Sequence, residues 1–460
     1  MSELPMGWAA ASIGDLVDIN PKQSFEDALI AGFVSMSHAP TDMLGKARFE
    51  QRPWGEIKKG YTHFQDNDVI FAKVTPCFEN GKAALLSGLP NGFGAGSTEF
   101  FVLRPIAEGI NQKYLLALIK SHDFLQQGAE NMTGAVGLRR VPKQFVERYT
   151  VPVPPLAEQT RITQKLDELL AQVDTLKARL DAIPTQLKRF RQSTLAAAVS
   201  GRLTADWRAE QARSDGNEHL SPTHKFRDIY QLIDGDRGPN YPKQNDYEPK
   251  GYCLFLSTKN VRPSGFLLNE LTFISKEKHL QLRSGKAEIG DVILTTRGTL
   301  GNVALYDKKI ATIYPIARIN SGMLIIREHS SGKVIPTYLR LFIESPLFSV
   351  QLAEKQTGSA QPQIPAGILK DFDINVPTIE EQTEIVRRVE QLFSFADQLE
   401  AKIKTAQARV NHLTQSILAK AFRGELVPQD PNDEPASAPL ERLKAQRAAA
   451  PKAKRGRKSA

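Results

Sequence analysis

Sliding the sequence against itself by 223 residues lays Pro142–Leu203 on Pro365–Leu426 without a gap, and 18 of the 62 paired positions are identical. They include Glu158/Glu381, Gln159/Gln382, Asp174/Asp397, Gln192/Gln415, Ser193/Ser416, Gly201/Gly424 and Leu203/Leu426. The same offset carries Asp68-Val69-Ile70 onto Asp291-Val292-Ile293, and Thr133-Gly134 meets Thr357-Gly358 after a one-residue shift. Solenoid repeats have periods of about 20–50 residues. A period this long therefore describes two copies of a whole module, each with a variable front part and a similar back part.

The similar parts carry heptads. Apolar residues fall at Ile162, Leu166, Leu169, Val173, Leu176, Leu180, Ile183, Leu187 and Phe190, with steps alternating four and three. The second copy has Ile385, Val389, Leu392, Ala396, Leu399, Ile403, Ala406, Val410, Leu413 and Ile417. A sustained 3.5-residue period marks a narrow seam between two helices rather than a broad core face. Pro154 and Pro155 precede the first helix, and Pro184 is expected to kink it. Thr378 and Glu381 stand at capping-box spacing before the second helix, and Gly201 and Gly424 close the pair. Ile379 to Phe422 gives a second helix of 44 residues, about 66 Å long. The simplest way to bury both seams is against each other. Run antiparallel, the helices relate the two modules by a pseudo-two-fold axis.

The front parts read as mixed α/β. Val69–Val74, Val292–Thr296, Phe100–Leu103 and Met323–Ile326 are strand-like, and helical segments follow near Gln112–Gln127 and Pro336–Leu352. The fold class is thus two α/β domains separated by two long helices packed as an antiparallel coiled coil, in a pseudo-two-fold tandem repeat. The expected boundaries are 1–153 for the first front domain, 154–204 for the first helix and 205–224 for a polar linker. The second domain is expected at 225–377, the second helix at 378–426 and a polar, basic tail at 427–460.

Composition narrows the function. Lysine and arginine exceed acids by nine, which favours a polyanionic partner without proving one. Cys77 and Cys253 form no metal-binding pair and suit a reducing, cytoplasmic setting. Met1–Trp8 does not read as a signal peptide, and no apolar run reaches the ~18 residues of a membrane span. There is no phosphate-binding G-x-x-x-x-G-K-[ST], no H-E-x-x-H and no cofactor-cradling glycine loop. Gly92–Gly96 reads as a turn. Asp246, Glu248 and Lys250 faintly suggest a nuclease metal site, but they lie in a Pro-rich loop where a solvated turn is the plainer reading. The basic run Lys452–Lys458 reads as a solvated end able to touch phosphates.

Five loops combine glycine, polar groups and a base: Lys73–Lys82, Thr133–Arg140, Asp234–Tyr241, Thr295–Asn302 and Thr357–Gln363. Glycine lets backbone approach a ligand, arginine or lysine can grip guanine edges, and asparagine or glutamine can grip adenine. Ordinary turns also favour such residues, but these loops occur in both copies.

The stretches PPLAEQTRITQKLDELLAQVDTLKARLDAIPTQLKRFRQSTLAAAVSGRLT and EEQTEIVRRVEQLFSFADQLEAKIKTAQARVNHLTQSILAKAFRGEL resemble the specificity (S) subunits of type I restriction–modification enzymes, most of all their type IA branch. TPCFENGK with GSTEFFVLRP is similar to one class of target-recognition domain, and DGDRGPNYP to another. One departure is that the second domain lacks a Trp-containing opening like Met6-Gly7-Trp8. The resemblance implies a non-catalytic chain whose two domains each read half of a split, asymmetric duplex DNA site, with the helices as a ruler. It also implies docking of two modification (M) subunits, which use S-adenosylmethionine, and of restriction (R) subunits, which use ATP and Mg; this chain would bind no cofactor. The DNA-contacting candidates are Lys73, Thr75, Asn80, Lys82, Arg139 and Arg140 in the first half, and Arg237, Asn240, Arg297, Thr299, Gln361 and Gln363 in the second. Two rivals compete: a coiled-coil adaptor that binds proteins and no DNA, and a nuclease acting alone.

Overall fold

Each copy of the repeat turns its β-branched and aromatic runs into two larger sheets beside two-stranded ladders. The computed structural model describes residues 4–106, 109–135, 137–215, 221–263, 265–298, 300–329, 332–355 and 363–449. The chain divides into two units, one formed by residues up to Asp181 together with those from Lys404 onward, the other by Ala182–Ile403.

In the first unit, one antiparallel sheet runs Val17–Ile19, Phe100–Pro105, Val69–Ala72, Ala83–Leu85 in spatial order. The other runs Glu50–Pro53, Ile30–Val34, Phe93–Gly96, Thr62–Gln65, with its two middle strands parallel. In the second unit, Tyr230–Asp234, Met323–Glu328, Asp291–Thr295 and Val303–Tyr306 repeat the first order. Cys253–Leu256 pairs in parallel with Ala317–Ile319, matching the second sheet. The front parts, variable in sequence, thus share the strand order of the first sheet and the parallel pair of the second, which has four strands in the first unit and three in the second. Val69–Ala72 and Asp291–Thr295 are buried on both faces, which explains their unbroken apolar character.

Two sequence expectations are corrected here. Phe93–Gly96 is a buried strand, not a turn. A side chain at Gly94 or Gly96 would run into the carbonyl oxygens of Gly32 and Val34, so the glycines permit close strand approach. The helical runs after the sheets are each broken in two, as Gln112–Ile119 with His122–Glu130 and as Pro336–Glu344 with Pro346–Lys355. Ser121 and Ser345 cause the breaks: each hydroxyl accepts the N–H three residues on and starts a new helix.

The long helices are Leu156–Val199, which runs on through Pro184, and Ile379–Phe422. Thr378 caps the second through the Glu381 N–H at 3.3 Å. Antiparallel pairing is evident inside each unit. In the first, Ile162, Leu166 and Leu170 share a core with Leu418 and Ala421, and Gln407 donates to Asp181 at 2.8 Å. In the second, Leu195, Ala198 and Val199 share a core with Ile385 and Val389, and Arg191 pairs with Asp397 at 2.6 Å. The helix ends are therefore part of each domain's core, and truncating Leu166 to Ala should cost about 2–5 kcal/mol.

The heptad splits into two unequal rows. Leu166, Val173 and Leu187 are buried in the first helix, as are Val389, Ala396, Ile403 and Val410 in the second, all seven or fourteen residues apart; Leu180, in the same row, is half-buried. The alternate row is half-covered at Leu169, Leu392 and Leu399, and open at Leu413 and Phe190. Leu176, expected in the seam, is 46% exposed. Two helices cover only one side of each other, and a 3.6-residue helix drifts off a 3.5-residue repeat. Near the first domain the buried spacing becomes Ile162, Leu166, Leu170, the broader face of a helix on a core.

The segments after the long helices are structured. Within the stretch read as a linker, Ala205–Asp215 is helical, and Arg208 and Thr204 reach the buried carboxylate of Glu381. Within the polar, basic tail, where Leu440–Ala450 reads as a short helix, Ser437–Ala449 is helical and buries Leu440 and Leu443 on the first unit. Asp433 pairs with Arg161 at 2.6 Å, and Arg447 donates to the Gly14 and Val17 carbonyls. Lys452–Lys458 lies outside the described residues.

Candidate nucleic-acid interface

The strand Val69–Ala72 delivers the loop Lys73–Lys82 to one edge of the first unit. The loop is closed on itself by Phe78 N to Val74 O, Asn80 N to Pro76 O and Lys82 N to Cys77 O, each 3.0–3.1 Å. It meets Thr133–Arg140 through a reciprocal clasp: Thr75 N donates to Arg139 O, and Arg139 N donates to the Thr75 hydroxyl at 2.9 Å. Val141 N also donates to Lys73 O at 2.8 Å. Thus Lys73, Thr75, Asn80, Arg139 and Arg140 come together on one surface.

Their electrostatics differ. Arg140 is held by Glu99 through Nε and Nη2 at 2.8–3.2 Å, and that guanidinium holds the Glu99 carboxyl below its ordinary range. The pairing fixes the arginine plane while leaving Nη1 unspent, a pre-oriented edge of the kind that reads guanine. Arg139 reaches Glu79 at 3.3 Å, and Lys73 lies 5.5 Å over the Phe101 ring. Asn80 is exposed. Lys82, half-buried, turns its ammonium to the Met36 carbonyl at 2.9 Å, so it braces the loop from within.

In the second unit two loops converge on the turn Asn320–Gly322, and Ile364 ties to one of them. Thr296 N and Arg297 N donate to Gly322 O. Arg237 reaches Ser321 O and pairs with Asp234 at 3.1 Å, and Ser321 N meets the Tyr241 hydroxyl. Ile364 N donates to Thr296 O, which places exposed Gln363 beside Arg297. This tie matches Val141 to Lys73 at the 223-residue offset. The Arg297 side chain is exposed and bonds no described residue. Asn240 is tethered to Gln281 O at 3.4 Å. Thr299 and Gln361 lie outside the described residues.

Asp246, weighed above as a metal ligand, pairs with Lys278 at 3.2 Å, and the Lys243 N–H and that lysine hold its carboxyl low. No cluster of three or more metal-ligating side chains occurs among the described residues. Nor is any described helix long and apolar enough to cross a membrane.

Sequence reasoning missed the frame behind the loops. Asp68 takes a bidentate bond from Arg104 at 2.7–2.8 Å, and Asp291 the same from Arg327. The 223-residue offset relates both pairs, so Arg104 and Arg327 were findable outside the aligned window. Gln159 accepts from Asn111 N and donates to Pro154 O, as Gln382 accepts from Ile335 N and donates to Pro377 O. Glu158 takes the Trp8 indole N–H at 3.0 Å, whereas Glu381 is served by Thr204 and Arg208. The missing Trp opening of the second domain is thereby explained: other donors fill its place.

Comparison with known proteins agrees with this architecture. The family model for the type I restriction modification DNA specificity domain matches twice, over residues 5–185 and 223–406. The chain is 38% identical over 341 residues to the type I restriction enzyme EcoBI specificity subunit of Escherichia coli, covering 71% of this chain and 70% of that one. It is 32% identical over 513 aligned positions to the StySPI specificity subunit of Salmonella potsdam, covering 100% and 99%. The HsdS subunit of Thermoanaerobacter tengcongensis has the same fold, with a TM-score of 0.62 at 20% identity over 92% of this chain and 98% of that one. With two recognition-type units, a shared frame and paired long helices, the chain belongs to the DNA sequence-specificity subunits of type I restriction–modification systems.

Proposed function

We propose that each unit reads one half of a split, asymmetric duplex DNA site, and that the long helices hold the two readings a set distance apart. The observation that carries this reading is the convergence of glycine-containing loops on one edge of each unit, joined by the same backbone tie. Exposed lysines and arginines supply phosphate contacts, so affinity falls steeply with salt. Arg140, with its plane set by Glu99, and Arg297, free to extend, are the proposed base readers. Asn80, Asn240 and Gln363 are proposed for adenine edges, Thr75 as a loop clasp, and Arg139, Arg237 and Lys73 as phosphate or edge contacts. Thr299 and Gln361 stay in the proposal on sequence grounds.

The open heptad row, with Phe395 exposed beside it, supports docking of two modification subunits. Leu176 and Leu413 in the first unit, and Phe190 and Phe395 in the second, are 37–62% exposed on the helix pair. Apolar ridges of this kind suit partner helices. In this reading the chain holds no cofactor and performs no chemistry. The modification subunits supply S-adenosylmethionine chemistry, and restriction subunits supply ATP- and Mg-dependent steps. The type IA branch and a cytoplasmic location complete the proposal.

The test is to map methylated adenines on genomic DNA exposed to the chain with its modification subunits. A bipartite motif is expected. Its absence, together with no salt-sensitive duplex binding, would favour the protein adaptor. Metal-dependent cutting by the purified chain, lost in Glu248→Ala, would favour the nuclease.

A further inference from the structure

Lys120 ends the helix Gln112–Ile119 and is only 5% exposed. Its three N–H groups face four backbone carbonyls within hydrogen-bond distance: Asp42 at 2.7 Å, Gly81 at 3.2 Å, and Pro40 and Thr41 at 3.3 Å each. Gly81 closes the recognition loop beside Asn80. Burial pulls the ammonium down to about 8, with Asp42 acting against it. The other side of the same turn is gripped by the second long helix. The Gln415 side chain donates to Lys120 O at 3.2 Å and accepts from His122 N at 2.8 Å.

We propose that Lys120 is a positioning residue for DNA specificity: it joins the loop that presents Thr75 and Asn80, and to which Arg139 is clasped, to the second long helix, through Gln415. This rests on the loop being a base reader. A buried cation bonded only to carbonyls supplies no apolar packing of its own that a methionine could not replace. What it supplies uniquely is several N–H donors converging on two chain segments, which is the requirement for holding a loop in one place.

The repeat makes the effect one-sided. Tyr114, Ser121 and Phe124 correspond to Tyr338, Ser345 and Phe348 at a spacing of 224, and both tyrosine hydroxyls donate to a carbonyl at 2.9 Å. At that spacing Lys120 falls on Glu344, a half-buried carboxylate beside Arg340 at 3.7 Å. A carboxyl has at most one proton to donate, against the three of an ammonium, so the second unit holds its loop by other means.

The experiment uses the full chain with its modification subunits and maps methylated adenines for wild type, Lys120→Met, Gln415→Leu and Glu344→Gln. Lys120→Met should relax discrimination in one half of the motif about tenfold, the size of a weakened base contact, with the cognate rate nearly unchanged. Gln415→Leu should relax the same half less, and Glu344→Gln should leave that half intact. Equal relaxation of both halves, an unchanged motif, or a uniform loss of rate on all sequences would overturn the proposal. Should Lys120→Met fail to fold, Gln415→Leu decides it by the same criteria. A wild type that yields no bipartite motif would refute the underlying reading instead.

Discussion

Asp68→Asn should destabilise the first unit sharply, although the ion pair it breaks contributes little by itself. Asp68 is 1% exposed and Arg104 is partly covered. Burial pushes the Asp68 carboxyl above its ordinary value, and Arg104 and the Gln65 N–H only pull part of that back. Desolvation thus outweighs the attraction, as is common for buried pairs. Removing one partner is different, because the partly covered guanidinium then faces an amide that also donates. A fully buried orphan costs about 3–5 kcal/mol. With the Arg104 side chain 21% exposed, about 2–4 kcal/mol is expected, a 30- to 900-fold rise in the unfolded ratio. Urea unfolding in a Trp207→Phe background would report it through Trp8 and Trp54, both in the first unit. Asp68→Leu with Arg104→Met should restore most of the loss. A single-variant cost under about 0.5 kcal/mol, or a double variant no better than the single, would refute the reasoning.

Glu344 is lifted from 4.5 to about 7 by burial, with Arg340 opposing. Its folded value exceeds its unfolded one, so its stability contribution is present below about pH 4.5 and is lost as pH rises to about 7. Calorimetry should therefore find Glu344→Gln more stable than wild type at pH 8, by about 1–3 kcal/mol, and nearly equal at pH 4; a gap of the same size at both pH values would contradict this. Phe395→Asp and Leu413→Asp, at exposed sites, should leave the melting temperature nearly unchanged yet weaken capture of modification subunits, measured by sedimentation; unchanged capture would remove these residues from the docking ridge. A chain ending at Leu426 loses buried Leu440 and Leu443, so its first unit should melt several degrees lower while duplex binding at low temperature persists.

Much of the frame is legible in sequence because it is duplicated. The ends of the second long helix follow from Thr378 and Gly424, and the strands Val69–Ala72 and Asp291–Thr295 from their β-branched runs. What escapes is set by approach between distant segments. Gly94 and Gly96 look like turn residues until the backbones of Gly32 and Val34 lie against them. Leu176 scans as seam but faces outward, since periodicity does not say how many helices surround a stripe. Lys82 scans as a DNA contact with no sign that its ammonium also donates to Met36 O, a partner 46 residues away. Arg140 is legible as a base without any sign that Glu99 steers it.

The twofold occurrence of the Asp–Arg pair and of the glutamine brace has a bearing on inheritance. These side chains bond within the frame and leave the converging loops to their own backbone ties. Loop residues can therefore drift apart between the copies, or between lineages, without loosening the scaffold beneath. Selection for new target sequences and selection for stable folding then act on largely separate letters of the same gene.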